Sequence, residues 1–196
     1  MAIFHLLAGP NGAGKSSLYR ALVADGIINS AYEFVNADLF EHAHLGHIAD
    51  PMERSEAARH WANGKRETLM QSQVSFVSET VFSHTSKIEL ITRAQQLEYA
   101  VVLYVVAVEK PESLIERVKQ RVNEGGHAVP TEKILSRYPR TLANLAKAVP
   151  LADAAYLYDS RSDADGGLQH VATCTKGLIV ERLNVLPAWA KTVLSI

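Results

Sequence analysis

Gly9-Pro10-Asn11-Gly12-Ala13-Gly14-Lys15-Ser16 is the stretch that decides the fold. It satisfies the spacing G-x-x-x-x-G-K-[ST] at every fixed position. Glycines in such a loop take positive φ and turn successive backbone N–H groups inward, around phosphate oxygens. An apolar strand over Ile3–Ala8 leads into the loop, and a helical pattern over Lys15–Ala24 leaves it. The helix therefore adds its positive N-terminal dipole to the same place. The expected nucleotide site runs Gly9, Pro10, Asn11, Gly12, Ala13, Gly14, Lys15, Ser16 and Ser17. Lys15 is expected to reach the β- and γ-phosphates, and the Ser16 hydroxyl to bind Mg²⁺. The alternative is a chance glycine turn, which the strand and helix flanks argue against. Ser17 stands where a dinucleotide fingerprint needs its third glycine. No Asn-Lys-x-Asp guanine-reading motif is present, so ATP or a similar nucleoside triphosphate is expected over GTP.

Outward from the loop, segments that read as buried strands alternate with helical ones. Residues 34–35 form a short second strand, and 74–77 a third. Residues 99–108 form the clearest strand, rich in β-branched side chains, with further strands at 154–158 and 178–180. Helical spacing covers 53–71, through Ala57, Ala58, Trp61, Ala62 and Leu69, although Gly64 costs that helix roughly 1 kcal/mol. It also covers 87–97, and the stretch after Pro111, where Leu114, Ile115, Val118 and Val122 make an apolar stripe. Residues 123–130 break that helix. Residues 131–148 resume it, and Pro139 suggests two short pieces. The alternation argues for an α/β fold: a parallel sheet of P-loop kinase type, doubly wound through right-handed crossovers, with helices on both faces and a helical lid. Residues 1–196 read as one domain.

Composition limits the partners. A hydrophobic share of 47% indicates a globular chain. A formal net charge of −1 gives no global field for nucleic acid or an anionic membrane, so any anion site is local. Residues 99–108 are the longest strongly apolar run and too short to cross a bilayer as a helix. Cys174 alone forms no internal disulfide, and no basic region precedes the apolar start. A cytoplasmic protein is the expectation.

Two acidic positions fall where strands end. Asp38 follows the second strand in Val35-Asn36-Ala37-Asp38, and Glu79 ends the third in Phe76-Val77-Ser78-Glu79-Thr80. Ligands in open α/β sheets bind at the carboxyl ends of strands. Asp38 there suits a base for an acceptor hydroxyl attacking a γ-phosphate, against the alternative of a loop or N-cap aspartate. Glu79 suits a water-mediated Mg²⁺ contact or a substrate hydroxyl, against a charge merely emerging into solvent. Arg117 and Arg121, four residues apart, share one helix face, and His127, Arg137 and Arg140 follow the glycine pair Gly125-Gly126. Arginines closing over transferred phosphate would stabilise it, with the glycines as hinge. A solvated face with Glu116 and Glu124 is the alternative. His42, His44 and His47 offer too few ligands for a zinc site. Asp163, Asp165 and Gly166-Gly167 read as a turn before the closing strands.

Taken together, these segments resemble the zeta toxin family of P-loop kinases. The resemblance rests on residues 8–17 and on Val35-Asn-Ala-Asp38, Ser78-Glu-Thr80 and Leu114-Ile-Glu-Arg117. It rests further on Gly125-Gly-His-Ala-Val-Pro130, Leu151-Ala-Asp153 and Tyr158-Asp-Ser160, and spans about residues 3–160. It implies ATP- and Mg²⁺-dependent phosphorylation of a small-molecule hydroxyl, in the toxins that of UDP-N-acetylglucosamine, and an antitoxin protein as partner. It implies Asp38 as catalytic base, Glu79 with Thr80 as acceptor contacts, and Arg117 as a lid arginine. Arg121 is taken with Lys15 and Arg117 into the catalytic set. Two departures touch the acceptor side. The toxins show Glu-Gly-Thr-x-Arg after the third strand, where this chain has Glu79-Thr80-Val81-Phe82-Ser83, without the arginine. His127 stands at the second lid arginine, leaving Arg121, Arg137 or Arg140 to replace it. A nucleotide-dependent switch or slow ATPase without an acceptor is the rival function.

Overall fold

The computed structural model describes residues 1–123, 129–160 and 167–196, except for the side chain of Arg121. Seven strands form one sheet in the order β2-β3-β1-β4-β5-β6-β7. They are β1 (Ile3–Ala8), β2 (Glu33–Val35), β3 (Phe76–Thr80), β4 (Ala100–Ala107), β5 (Ala154–Ser160), β6 (Leu168–Thr175) and β7 (Leu178–Arg182). The first five pair in parallel. The last two continue the sheet antiparallel, as a hairpin beyond β5. The α/β class of the sequence analysis holds, and β6 extends it. That strand was not anticipated, because Gln169, His170 and Thr173 interrupt its apolar residues.

Alternation along β1 sends side chains to two separate cores. Phe4, Leu6 and Ala8 pack on one face against α3 (Pro51–Gln71), α4 (Ser86–Gln96), α6 (Thr131–Ala148) and α7 (Ala188–Leu194). Leu7 packs on the other face against Leu18 and Leu22 of α1 (Lys15–Ala24) and Leu114 and Val118 of α5 (Glu112–Asn123). Strands buried on both faces are what a covered parallel sheet requires. Trp189 of α7 donates a 2.6 Å hydrogen bond to Asp159 Oδ1, which fixes the last helix on β5.

Three elements differ from expectation. The third strand begins at Phe76 rather than residue 74, and it includes Glu79 and Thr80. Leu7 and Ala8 of β1 stand opposite these two residues, so backbone pairing carries the polar end of β3 into the sheet. An unanticipated helix, α2 (Ala37–His44), starts directly after β2. Asn36 caps it, accepting a 3.2 Å hydrogen bond from the Leu39 amide. Finally, α6 runs unbroken through Pro139. The ring removes the bond to the Leu135 carbonyl, but Pro139 and Leu135 are both exposed, so water can satisfy that oxygen. Among the described residues no helix is long and apolar enough to cross a membrane.

Candidate active site

The glycine loop joins β1 to α1 by a path that only glycine follows. Gly9 has φ 152, and a Cβ there would meet the Val106 carbonyl oxygen of β4 at 1.9 Å. Gly12 and Gly14 also have positive φ, 79 and 98. Gly14 is the N-cap of α1 and brings no side-chain cap, so the first amides of that helix stay open to an anion. Asn11 is buried, and its Oδ1 has no partner among the described residues. A loop with uncapped amides, an orphaned acceptor and a buried lysine fits a polyphosphate with its cation.

Glu79 is the hub of the polar groups beside the loop. Its Oε2 accepts from Ser16 Oγ at 2.9 Å and from Asn36 Nδ2 at 3.1 Å. Its Oε1 lies 3.7 Å from Lys15 Nζ, which also donates to the Pro10 carbonyl at 3.0 Å. Lys15 and Glu79 are both mostly buried, so this pair is screened less than a surface pair. Neighbouring carboxyl ends of β1, β2 and β3 supply these groups, at the edge where ligands of open α/β sheets sit.

Lys15, Asn36 and Glu79 open onto one cavity of about 560 Å³, which Asn11 also lines. Asp38 reaches it from the first turn of α2 and is partly exposed. Two contacts position that helix: Phe40 stacks on Trp61 of α3 at 3.8 Å, and Arg54 of α3 pairs with Glu41 at 3.0 Å. Thr80 lies on the wall, followed by the turn Val81-Phe82-Ser83. Phe82 is buried at φ 65, a left-handed conformation that costs a bulky residue energy. Helix α6 holds the turn, with Thr141 donating to the Val81 carbonyl and Asn144 to the Phe82 carbonyl, each at 3.1 Å.

Arg117 takes a different position. It lies on α5 over the glycine loop, where a Cβ on Gly12 would stand 3.7 Å from Arg117 Cβ. Its guanidinium donates to the Ser160 hydroxyl, and to the Ser160 carbonyl at 3.2 Å. It is absent from the cavity lining, whereas Arg137 and Arg140 of α6 both belong to it. The side chain of Arg121 lies outside the described residues, as do Gly125, Gly126, His127, Asp163, Asp165 and Gly166. His42, His44 and His47 are exposed, and among the described residues no cluster suited to a metal ion forms.

Sequence reasoning missed three groups of the cavity. Asn36 was noted only inside a motif, although its cap position carried a signal. Arg66 and Lys87 line the wall from α3 and α4. Their separation in sequence concealed them, and nothing short of the tertiary fold brings them together.

The chain resembles solved structures at low identity, which establishes the fold. A chain of the AvrRxo1-ORF1:AvrRxo1-ORF2 complex solved with ATP aligns at TM-score 0.70 and 19% identity, over 91% of this chain and 60% of that one. A chain from the PezAT chromosomal toxin-antitoxin system of Streptococcus pneumoniae aligns at 0.64 and 17% identity, over 86% and 70%. A putative kinase from Chloroflexus aurantiacus aligns at 0.55 and 17% identity, over 70% and 80%. This chain thus spans about 60% of the AvrRxo1 complex chain it matches. No curated protein matches it in sequence. The zeta toxin profile matches residues 2–158, which include the glycine loop, Asp38, Glu79 and Arg117, and the chain belongs to the zeta toxin family.

Proposed function

We propose that the chain is an ATP-dependent phosphotransferase whose acceptor is the hydroxyl of a small molecule. One observation carries this reading: Asp38 and the phosphate-loop residues Lys15 and Asn11 line a single cavity. A hydroxyl placed there meets a carboxylate on one side and the γ-phosphate end of the nucleotide on the other. Asp38 has no hydrogen-bond partner among the described residues, so its carboxylate is free to accept the hydroxyl proton.

The loop amides from Gly9 to Ser17 would hold the triphosphate, and Lys15 would neutralise its terminal oxygens. Ser16 and Glu79 are the residues suited to Mg²⁺, Ser16 directly and Glu79 through water. The bound ion spreads the charge that develops on the transferred group. In the transfer the acceptor oxygen forms a bond to the γ-phosphorus and the bond to the ADP oxygen breaks. The hydroxyl proton passes to Asp38, and ADP leaves as an anion. Most of the rate gain comes from positioning and charge stabilisation. Arg117 and Arg121 stand as lid arginines in this scheme, with Arg137 and Arg140 on the acceptor side of the cavity. Thr80 and Glu79 border the space for the acceptor.

UDP-N-acetylglucosamine is the first acceptor to test, as the substrate of the toxins that the chain resembles. The PezAT structure, similar in fold, comes from a toxin-antitoxin system, which supports a protein partner and a toxic activity. The decisive experiment is transfer of label from γ-labelled ATP with Mg²⁺, using that sugar and, separately, a pool of cytosolic metabolites. Asp38→Asn should abolish product while ATP still binds. Label released only as free phosphate, equally in the variant, would move the assignment to a nucleotide-dependent switch.

A further inference from the structure

The proposed reaction leaves several cations of the cavity without a role. Arg66 of α3 and Lys87 of α4 form part of its wall, with Arg59 exposed beside them. Arg66 is only 4% exposed. Its Nη1 donates to Ser78 Oγ at 3.0 Å and its Nη2 to Asn63 Oδ1 at 2.6 Å. Its Nε is buried and has no partner among the described residues. Among those residues no carboxylate forms an ion pair with Arg66 or Lys87. Among the described residues Arg59 pairs only with Glu56, which is exposed on α3.

A guanidinium buried with neutral partners and one vacant donor is costly unless an anion completes it. Burial disfavours the charged form of both groups. Burial lowers Arg66 to a pKa of about 10. Burial, with the charges of Arg66 and Arg59 behind it, lowers Lys87 to about 8. Three like charges converging on one concave wall suit a dianion better than a neutral sugar ring.

We propose that Arg66 and Lys87, with Arg59 at the rim, form a second anion subsite that holds a phosphate group carried by the acceptor. The inference rests on the kinase reading and narrows it. The substrate is then a hydroxyl compound that already bears a phosphate, anchored on α3 and α4 while its hydroxyl faces Asp38. In this chain the anchoring charge comes from those two helices, because no arginine follows β3 in the turn Val81-Phe82-Ser83. Arg66 Nε and Lys87 Nζ would donate to the phosphate oxygens, and Arg59 would close from solvent.

The test needs no turnover. The full chain, labelled with ¹⁵N-arginine and saturated with Mg²⁺ and ADP so that the glycine loop is filled, is titrated with inorganic phosphate. Saturable binding that shifts a buried arginine Nε resonance is expected. Lys87→Met should weaken phosphate about tenfold, and Lys87→Arg should restore most of the loss. Lys87→Met should also raise the melting temperature at pH 7, because it removes an unpaired charge from the wall, so lost binding cannot be ascribed to misfolding. Arg59→Ala, at the exposed rim, is the second variant and should weaken binding less. Phosphate binding that disappears once ADP fills the loop, or that is equal in Lys87→Met, overturns the subsite. The kinase reading fails separately, by absence of transfer to any acceptor. Transfer to a phosphorylated acceptor with the same KM in Lys87→Met would leave the kinase and remove the subsite.

Discussion

Ser16 Oγ donates a 2.9 Å hydrogen bond to Glu79 Oε2, joining the end of the glycine loop to the end of β3 across 63 positions of sequence. In the proposed scheme the hydroxyl binds Mg²⁺, so Glu79 is the group best placed to orient that ligand and a water on the ion. Glu79→Gln keeps an acceptor for Ser16 and Asn36 but removes the charge. The Mg²⁺ concentration for half-maximal ATP turnover should rise by about 10- to 100-fold, with nucleotide affinity in the absence of metal little changed. A rise in acceptor KM at unaltered Mg²⁺ dependence would instead make Glu79 a substrate contact.

Two glycines should respond with opposite sign to alanine. Gly9→Ala drives a Cβ to within 1.9 Å of the Val106 carbonyl, where backbone must yield. We expect a loss of at least about 3 kcal/mol, or no folded protein. Gly64 lies inside α3, and a Cβ there would meet nothing within 4 Å. Gly64→Ala should therefore stabilise by about 0.5–1 kcal/mol through helix propensity alone. Urea denaturation of both variants checks the pair.

The glycine loop was legible because its fixed residues fall in one run from Gly9 to Ser16, and β1 because it is a short apolar segment leading straight into that run, although β3 and β4 flank the strand from far along the chain. Asp38 was legible as a residue at a strand end, but the helix that carries it was not. Residues 37–44 are short and hold two histidines, and α2 is secured by Phe40 on Trp61 and Glu41 on Arg54, both from α3. The start of β3 was placed two residues early because Val74 is apolar, yet Val74 is 45% exposed. Pairing with β1 decides that strand, and it tolerates Glu79 and Thr80 because the carboxyl end of the sheet is the site. Pro139 pointed to a break that exposure of Leu135 makes unnecessary. The wall of Arg66 and Lys87 joins two helices through tertiary packing, and no spacing rule links positions 66 and 87.

Acid should weaken the fold through His5. This residue of β1 is 5% exposed, and its Nδ1 lies 3.2 Å from the Tyr104 hydroxyl. Burial lowers its pKa from 6.5 to about 4. Above pH 6.5 the ring is neutral in both folded and unfolded chains and contributes no pH dependence. As pH falls from 6.5 towards 4 the unfolded chain takes up a proton that the folded one refuses, so stability declines. The loss should reach about 2–3 kcal/mol at pH 4. His5→Phe preserves the ring's stacking against Tyr104 and should flatten the slope of melting temperature between pH 6.5 and 4. An unchanged slope would assign the acid sensitivity to other groups.

Arg117 stands over the glycine loop on α5, and Ser160 holds its guanidinium at the end of β5 by two hydrogen bonds. A Cβ on Gly14 would stand 3.4 Å from the same Ser160 hydroxyl, so loop, β5 and α5 meet at this point. If Arg117 stabilises the transferred phosphate, its planar fork has to be held before ATP arrives, and Ser160 is the positioning residue. Arg117→Ala should lower kcat by about 10³-fold. Arg117→Lys should recover little, since an ammonium cannot serve the hydroxyl and carbonyl of Ser160 and a phosphate oxygen with the same geometry. Ser160→Ala should cost about tenfold in kcat while leaving the KM for ATP near its original value, because it loosens an arginine without removing charge. Equal losses in kcat and ATP affinity for Ser160→Ala would show that the contact supports the loop rather than the chemistry. Steady-state kinetics of the three variants, with one acceptor held saturating, separates these outcomes.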